Sequence, residues 1–373
     1  MSNQIIADTD TPDPWMVAAH NRFYLTFTCG DRVEIWMSHS MENFRNCKKI
    51  IAWKPPPATP WVVDLWAPEL HYLEGRWYIY FCGAHPEVGN PSHRTLLLRS
   101  RSQDPMEAGA WEFLGQMKGL PDHWNIDATV FYLPRTGKLY CCYSGWPLGD
   151  YSDRQQDLFL IELESPELAR AETLTCISRA ELPWERADGG THGVNEGPTF
   201  VSIPGFEGII YSANGSWTSD YRLAVLELVD GGDPLKESSW RKRPTPLLIS
   251  DGDKGGPFGP GHASFIASPY GDGRVYCIYH ATEHQGQGWS NRKARVLMFS
   301  PEHFHPQAQP MCCALSVSGQ WSGGVSASHS DGRAGNVSEQ GAGASSPRVR
   351  EQRRASLIDK LGGNLWKKLR AWT

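Results

Sequence analysis

The sequence has no Cys-x-x-Cys pair, no apolar run of about 18 residues and, over most of its length, almost no helical periodicity. Each absence removes a class of protein. Without paired Cys-x-x-Cys spacing, the nine cysteines read as buried free thiols rather than metal ligands or a disulfide framework. Their odd number agrees with this, as do the adjacent pairs Cys141-Cys142 and Cys312-Cys313 and the apolar runs around Cys82, Cys141 and Cys277. Without a long apolar run, no transmembrane segment is expected. Met1 to Trp15 offer neither a basic n-region nor an apolar h-region. A cytoplasmic chain is therefore expected, with secretion left open if the N-terminus is incomplete. Basic excess is also missing from the body. The net charge is -5, yet the residues from Ser318 onward carry nine Lys or Arg against four Asp or Glu. An acidic body argues against nucleic acid as the main partner.

What the chain does hold is turns, aromatics and a repeat. It has 37 Gly, 27 Pro, 16 Trp and 13 Tyr. The runs 21–30, 75–84, 137–146, 206–215 and 273–282 resemble one another. Most open on a turn residue and a polar or basic residue, continue through aromatic or β-branched residues, and end in small ones. Each reads as the second strand of a hairpin. An apolar strand precedes each (15–19, 69–73, 129–133, 199–203 and 264–268), and a third follows (33–38, 95–100, 157–163, 221–228 and 294–300). A fourth is suggested at 111–115. The spacing, roughly 50–70 residues, lies in the range of propellers and solenoids. A β-sandwich would use the same strands, but five similar meanders favour radial repetition. The expected fold is all-β: a five-bladed β-propeller over residues 1–317.

Residues 318–373 differ in character. The Gly-, Ser- and Ala-rich stretch 318–347 reads as a disordered linker. The basic stretch 348–373 spaces Leu357, Ile358, Leu361, Leu365, Trp366 and Leu369 for a helix interrupted at Gly362-Gly363. It suits a membrane surface or a partner helix of unknown identity, or a solvated tail.

Three acidic residues stand at matching places in the repeat, each just ahead of a β-like run: Asp13, Asp127 and Glu196. In a propeller the innermost strands border a central channel, so residues at their outset gather at one mouth. Cleavage of a glycosidic bond needs one carboxylate to activate water and a protonated carboxyl to serve the leaving oxygen. A third acid nearby raises the donor's pKa by like-charge repulsion.

Five ordered segments make the reading specific: Thr11-Pro-Asp-Pro-Trp, Trp66-Ala-Pro-Glu-Leu-His, Asn125-Ile-Asp-Ala-Thr, Asn195-Glu-Gly-Pro and Gly259-Pro-Gly-His-Ala-Ser. Together they resemble glycoside hydrolase family 43, a family of inverting five-bladed propellers. The resemblance implies a general base at Asp13, a general acid at Glu196 and a pKa-tuning, sugar-orienting aspartate at Asp127. It places His262 under the active centre, near a bound calcium or a water cluster. It implies no cofactor for the chemistry itself. Glu69 falls in a segment that supports the pocket. A sugar-contacting arginine is expected near the final strand, at Arg292 in preference to Arg295. Trp15, Trp66, Trp146 and Trp217 are candidates for the pocket wall, with Trp66 and Trp146 preferred.

The implied reaction is a single displacement with inversion. The combinations Val33-Glu-Ile-Trp, Trp66-Ala-Pro-Glu-Leu-His and Tyr211-Ser-Ala-Asn-Gly-Ser-Trp-Thr look most like the family's exo-acting α-L-arabinofuranosidases. The expected partner is an arabinose- or xylose-containing oligo- or polysaccharide. β-Xylosidase and endo-arabinanase are the alternatives within the family. The C-terminal β-sandwich common among its xylosidases is not seen, which favours the arabinofuranosidase. A non-catalytic carbohydrate-binding propeller is the alternative of another class. Signatures of WD and kelch interaction propellers are missing. Asn214-Gly-Ser and Asn336-Val-Ser are glycosylation sequons only on a secretory route.

Overall fold

The continuous apolar runs of the repeat build five antiparallel meanders, seen in a computed structural model that describes residues 3–57, 59–250 and 255–313. The linker and basic segment expected from 318 to 373, and the sequon at Asn336, lie outside the described residues. Blade 1 runs through Trp15–Ala19, Arg22–Thr26, Val33–Ser38 and Lys48–Trp53. Blade 2 takes Val63–Leu73, Arg76–His85, Gly89–Ser100 and Trp111–Gln116. Blade 3 takes Asn125–Leu133, Lys138–Gly145, Gln155–Ser165 and Thr175–Ser178. Blade 4 takes His192–Ile203, Phe206–Ala213, Arg222–Leu228 and Trp240–Lys242. Blade 5 has three strands of its own, Phe258–Ala267, Val275–Thr282 and Lys293–Phe299. Its fourth comes from the other end of the chain: Gln4–Ile5 pairs antiparallel with Arg295 and Val296. That pairing closes the ring. The described residues contain no α-helix. The segment 166–172, which suits a helical turn, instead pairs at Leu168–Ala169 and makes a 3-10 turn at Ala171–Thr173.

Both faces of each blade are buried against neighbours, so the core is a ring of five inter-blade layers. Tyr24 and Ile79 share the layer between blades 1 and 2. Tyr80 and Val130 join blades 2 and 3, Tyr140 and Ile209 join blades 3 and 4, Ile210 and Tyr279 join blades 4 and 5, and Leu25 and Ile278 join blades 5 and 1. Successive strand residues face opposite sides. This accounts for the adjacent cysteines: Cys141 packs toward blade 2 and Cys142 toward blade 4. The seven cysteines from Cys29 to Cys277 are free thiols.

In blades 2 to 5 the innermost strands begin earlier than their apolar pattern predicts. In blade 2 the strand starts at Val63 rather than 69, and in blade 4 at His192 rather than 199. The leading half is polar and rich in Gly and Pro, and a bulge breaks its alternation. Register shifts bracket one left-handed residue in four blades, between Trp66 and Glu69, Ile126 and Thr129, Glu196 and Thr199, and Gly261 and Ser264. The left-handed residues are Ala67 (φ 45°), Asp127 (56°), Gly197 (53°) and His262 (46°), and Asp13 (53°) completes the ring in blade 1. Non-glycine residues adopt this conformation only when their surroundings fix it.

Here the preceding blade fixes it. The amide of Ala67 donates to Thr28 Oγ1 (2.7 Å), that of His262 to Ser212 Oγ (2.7 Å) and that of Asp13 to His280 Nδ1 (2.9 Å). The Asp127 backbone reaches the Cys82 sulfur. The small or polar residues that end each hairpin strand are therefore receptors for the next blade. One expectation needs correcting. Asp13 and Asp127 occupy matching positions, but the blade 4 equivalent is Gly197, so Glu196 stands one residue ahead of its place in the repeat.

Candidate active site

The ring of left-handed residues aims Asp13, Asp127 and His262 at one mouth, where Glu196 joins them. Asp13 Oδ2 accepts from Thr28 Oγ1 at 2.7 Å, while Oδ1 lies 3.1 Å from His262 Nδ1 and 3.5 Å from His280 Nδ1. Burial opposes the Asp13 charge, but His262, His280 and Arg292 outweigh it and hold the carboxyl well below the usual carboxylate range. Asp127 Oδ2 accepts from the Gly197 amide at 3.0 Å. Burial, with Asp13 nearby, raises the Asp127 pKa against the pull of His262.

Glu196 is the protonated member. Burial first, then the Asp127 charge, push it up to about 7, against opposing effects of His262 and Tyr221. His262 goes the other way from a typical buried histidine. Burial disfavours its charge, but Asp13, Asp127 and Glu196 surround it and push it up to about 9. The mouth thus carries an imidazolium among three acids, one firmly ionised and one holding a proton near neutral pH.

Two glycines make room for this packing. A Cβ on Gly197 would sit 3.1 Å from His262 Cγ, and one on Gly261 would sit 2.0 Å from Tyr221 Cε1. The Tyr221 ring stacks on His280 with centroids 5.7 Å apart. Its hydroxyl is buried, facing Glu196 and Ser212. Tyr221 and His280 are site residues that sequence reasoning missed.

Of the two candidate arginines, only Arg292 reaches the site. Its Nη1 is 3.1 Å from His280 Nε2, Nε donates to Gly288 O at 3.2 Å, and Nη2 donates to Ser216 O. Arg295 reaches the Asn3 carbonyl instead. Trp66 is half-buried and stacks on His93 at 3.9 Å. Trp146, expected on the pocket wall, is 2% exposed and stacks on Trp124 at 4.8 Å, so it is a packing residue with no ring face open to a sugar. The Trp15 indole donates to Leu70 O, and its ring packs on His71. Glu69 pairs with His71 Nε2 at 2.9 Å. Burial raises Glu69 well above the usual carboxylate range and lowers His71 to about 3. Asn214 is also unsuited to glycosylation: its buried side-chain amide donates to the Trp184 and Arg186 carbonyls.

The resemblance sets a bound calcium, or a water cluster, near His262. His262 Nδ1 faces Asp13 Oδ1 at 3.1 Å, and calcium prefers oxygen ligands. Among the described residues, no three His, Cys, Asp or Glu side chains are grouped to hold a metal ion.

Glu196 is braced from behind through its neighbour Asn195. Asn195 Nδ2 donates to Glu185 Oε1 at 3.0 Å, and Ser178 Oγ donates to Asn195 Oδ1 at 2.6 Å. Glu185 is 0% exposed and holds Lys242 Nζ at 2.6 and 2.7 Å, with Tyr211 Oη donating at 2.7 Å. Lys242→Met strips the cation from this buried carboxylate. The expected cost is about 3–5 kcal/mol in unfolding free energy by urea titration. A loss below about 1 kcal/mol would mean that the pair behaves as an exposed one.

A radial all-β scaffold whose mouth gathers an ionised acid, a protonated acid and a third carboxylate is the layout of a glycosidase. The chain belongs to glycosyl hydrolases family 43, whose sequence model matches residues 2–300. It is 28% identical over 266 residues to the extracellular exo-α-(1→5)-L-arabinofuranosidase of Streptomyces chartreusis, covering 71% of this chain and 77% of that one. It is also 28% identical over 262 residues to the enzyme of the same name from Streptomyces avermitilis, covering 69% of this chain but 51% of that one, so it spans about half of that relative. Among solved structures, the α-L-arabinofuranosidase from Lactobacillus brevis superposes with a TM-score of 0.71 at 25% identity, covering 80% of this chain and 94% of that one.

Proposed function

We propose that this chain removes α-L-arabinofuranosyl residues from arabinan- or arabinoxylan-type glycans by inverting, single-displacement hydrolysis. The observation that carries the reading is the opposite protonation of two acids at one mouth: Asp13 held ionised, Glu196 pushed up to about 7. The names of the relatives support the choice of sugar. Asp13 takes a proton from the attacking water. Glu196 donates its proton to the departing glycosyl oxygen. Asp127 keeps that acid protonated and orients the sugar. His262 balances the three carboxyls and keeps Asp13 charged. Arg292 and half-buried Trp66 are the sugar contacts assigned beside them.

The test is a panel of nitrophenyl glycosides with linear and branched arabino-oligosaccharides. Release of free arabinose from arabinofuranosides is expected. Xylose release alone, or shortening of arabinan without free arabinose, would overturn the choice of sugar or of exo action.

The pH profile follows from the same two groups. The donor must hold its proton, so kcat/KM falls as pH rises through about 7. The base must be ionised, and its pKa lies below the usual carboxylate range, so the acidic limb comes only at low pH. Initial rates across pH check this. A profile that still climbs above pH 8 would take the proton-donor role from Glu196.

A further inference from the structure

The loops after the second strands of blades 4 and 5 rise beside the acid and carry two tryptophans that meet at a corner. Trp217 and Trp289 lie 6.1 Å apart between centroids with their planes 63° apart. Trp289 is 47% exposed, and Trp217 is half-buried. Neither is loosely held. Trp217 Nε1 donates to Asp188 Oδ1 at 3.2 Å, and His192 Nδ1 lies 3.1 Å from Asp188 Oδ2. Trp289 Nε1 donates to Ser216 Oγ at 3.2 Å. A Cβ on Gly215 would fall 2.6 Å from the Trp217 ring, so the ring folds down over a glycine kept bare for it.

The corner is continuous with the reaction centre. Arg292, whose charge helps to keep Asp13 ionised, donates to the carbonyls of Ser216 and Gly288, the residues that precede Trp217 and Trp289. Tyr221, at the end of the same blade 4 loop, faces Glu196. The leaving oxygen takes its proton from Glu196, so the departing part of the substrate lies on the side of the acid, and blade 4 carries the acid. Two fixed indole faces at an angle offer apolar stacking area on that side, with little ordering left to do on binding.

We infer that Trp217 and Trp289 form the platform for the sugar on the leaving side of the scissile bond, an arabinofuranosyl unit of the chain being trimmed. The inference rests on the arabinofuranosidase reading and adds to it the reason for preferring a chain end over a simple glycoside. Its test compares arabinotriose with methyl α-L-arabinofuranoside, which has no sugar beyond the bond. The readout is the ratio of their kcat/KM values. Trp217→Ala and Trp289→Ala are each expected to lower that ratio about tenfold. Trp217→Phe, which keeps a ring, is expected to recover most of the loss. An unchanged ratio overturns the platform, whether both substrates suffer or neither does. Wild-type protein that releases arabinose from neither substrate overturns the activity itself, and the platform with it.

Discussion

Glu196→Gln lowers kcat on arabino-oligosaccharides by about 10²–10⁴-fold, the usual worth of a positioned proton donor. The amide keeps the shape of the side chain but has no acidic proton to give. Its neighbours are undisturbed: Asn195 still ties into Glu185, and Gly197 still seats His262. The loss therefore depends on the leaving group. An unactivated sugar needs its oxygen protonated as the bond breaks, whereas a dinitrophenyl leaving group does not. On dinitrophenyl α-L-arabinofuranoside the same variant keeps most of its rate, and the fall in kcat/KM near pH 7 disappears. Equal losses on the two substrates would contradict the assignment, because they would reflect a general disturbance of the pocket.

Asp13→Asn has a comparable effect with the opposite signature. The asparagine can still accept from Thr28 Oγ1, and its backbone still donates to His280. The charge that takes the proton from water is lost, and water must be activated whatever group departs. A fall of about 10²–10⁴-fold is expected on oligosaccharide and dinitrophenyl glycoside alike. The variant also removes the first counter-charge of His262, whose pKa should drop from about 9. Proton NMR of that imidazole across pH would show the change. Full retention of activity on either substrate would remove Asp13 from the role of base.

The fold is legible because each hairpin strand is a continuous aromatic and β-branched run that gives way to small residues, as at 75–84 and 137–145. The innermost strands are less so. Their leading halves carry Trp66-Ala-Pro-Glu and Asn195-Glu-Gly-Pro, which read as loops, and the bulge that aims the catalytic side chains is what spoils the pattern. The offset of Glu196 has a trace in the sequence. Aligning Thr129 with Thr199, two residues past the left-handed position, sets Gly197 opposite Asp127. Closure by Gln4–Ile5 has little signal, because two residues make no periodicity. Tyr221 and His280 were hidden for another reason. Each sits at or within an apolar strand, where an aromatic ring reads as core, and only tertiary packing brings both beside the acids. Trp146 erred in the opposite sense: its place after a hairpin strand suggested the pocket wall, and its partner Trp124 comes from the segment ahead of the same blade.

The most direct measurement follows the anomeric proton of the first product by NMR while wild-type protein hydrolyses an α-L-arabinofuranoside. One displacement by water, with Asp13 and Glu196 on opposite sides of the bond, yields β-L-arabinofuranose first, with the α form growing in only as the sugar mutarotates. If the α anomer appears first, two displacements have occurred, a side chain has bonded to the sugar, and the division of labour between Asp13 and Glu196 is wrong.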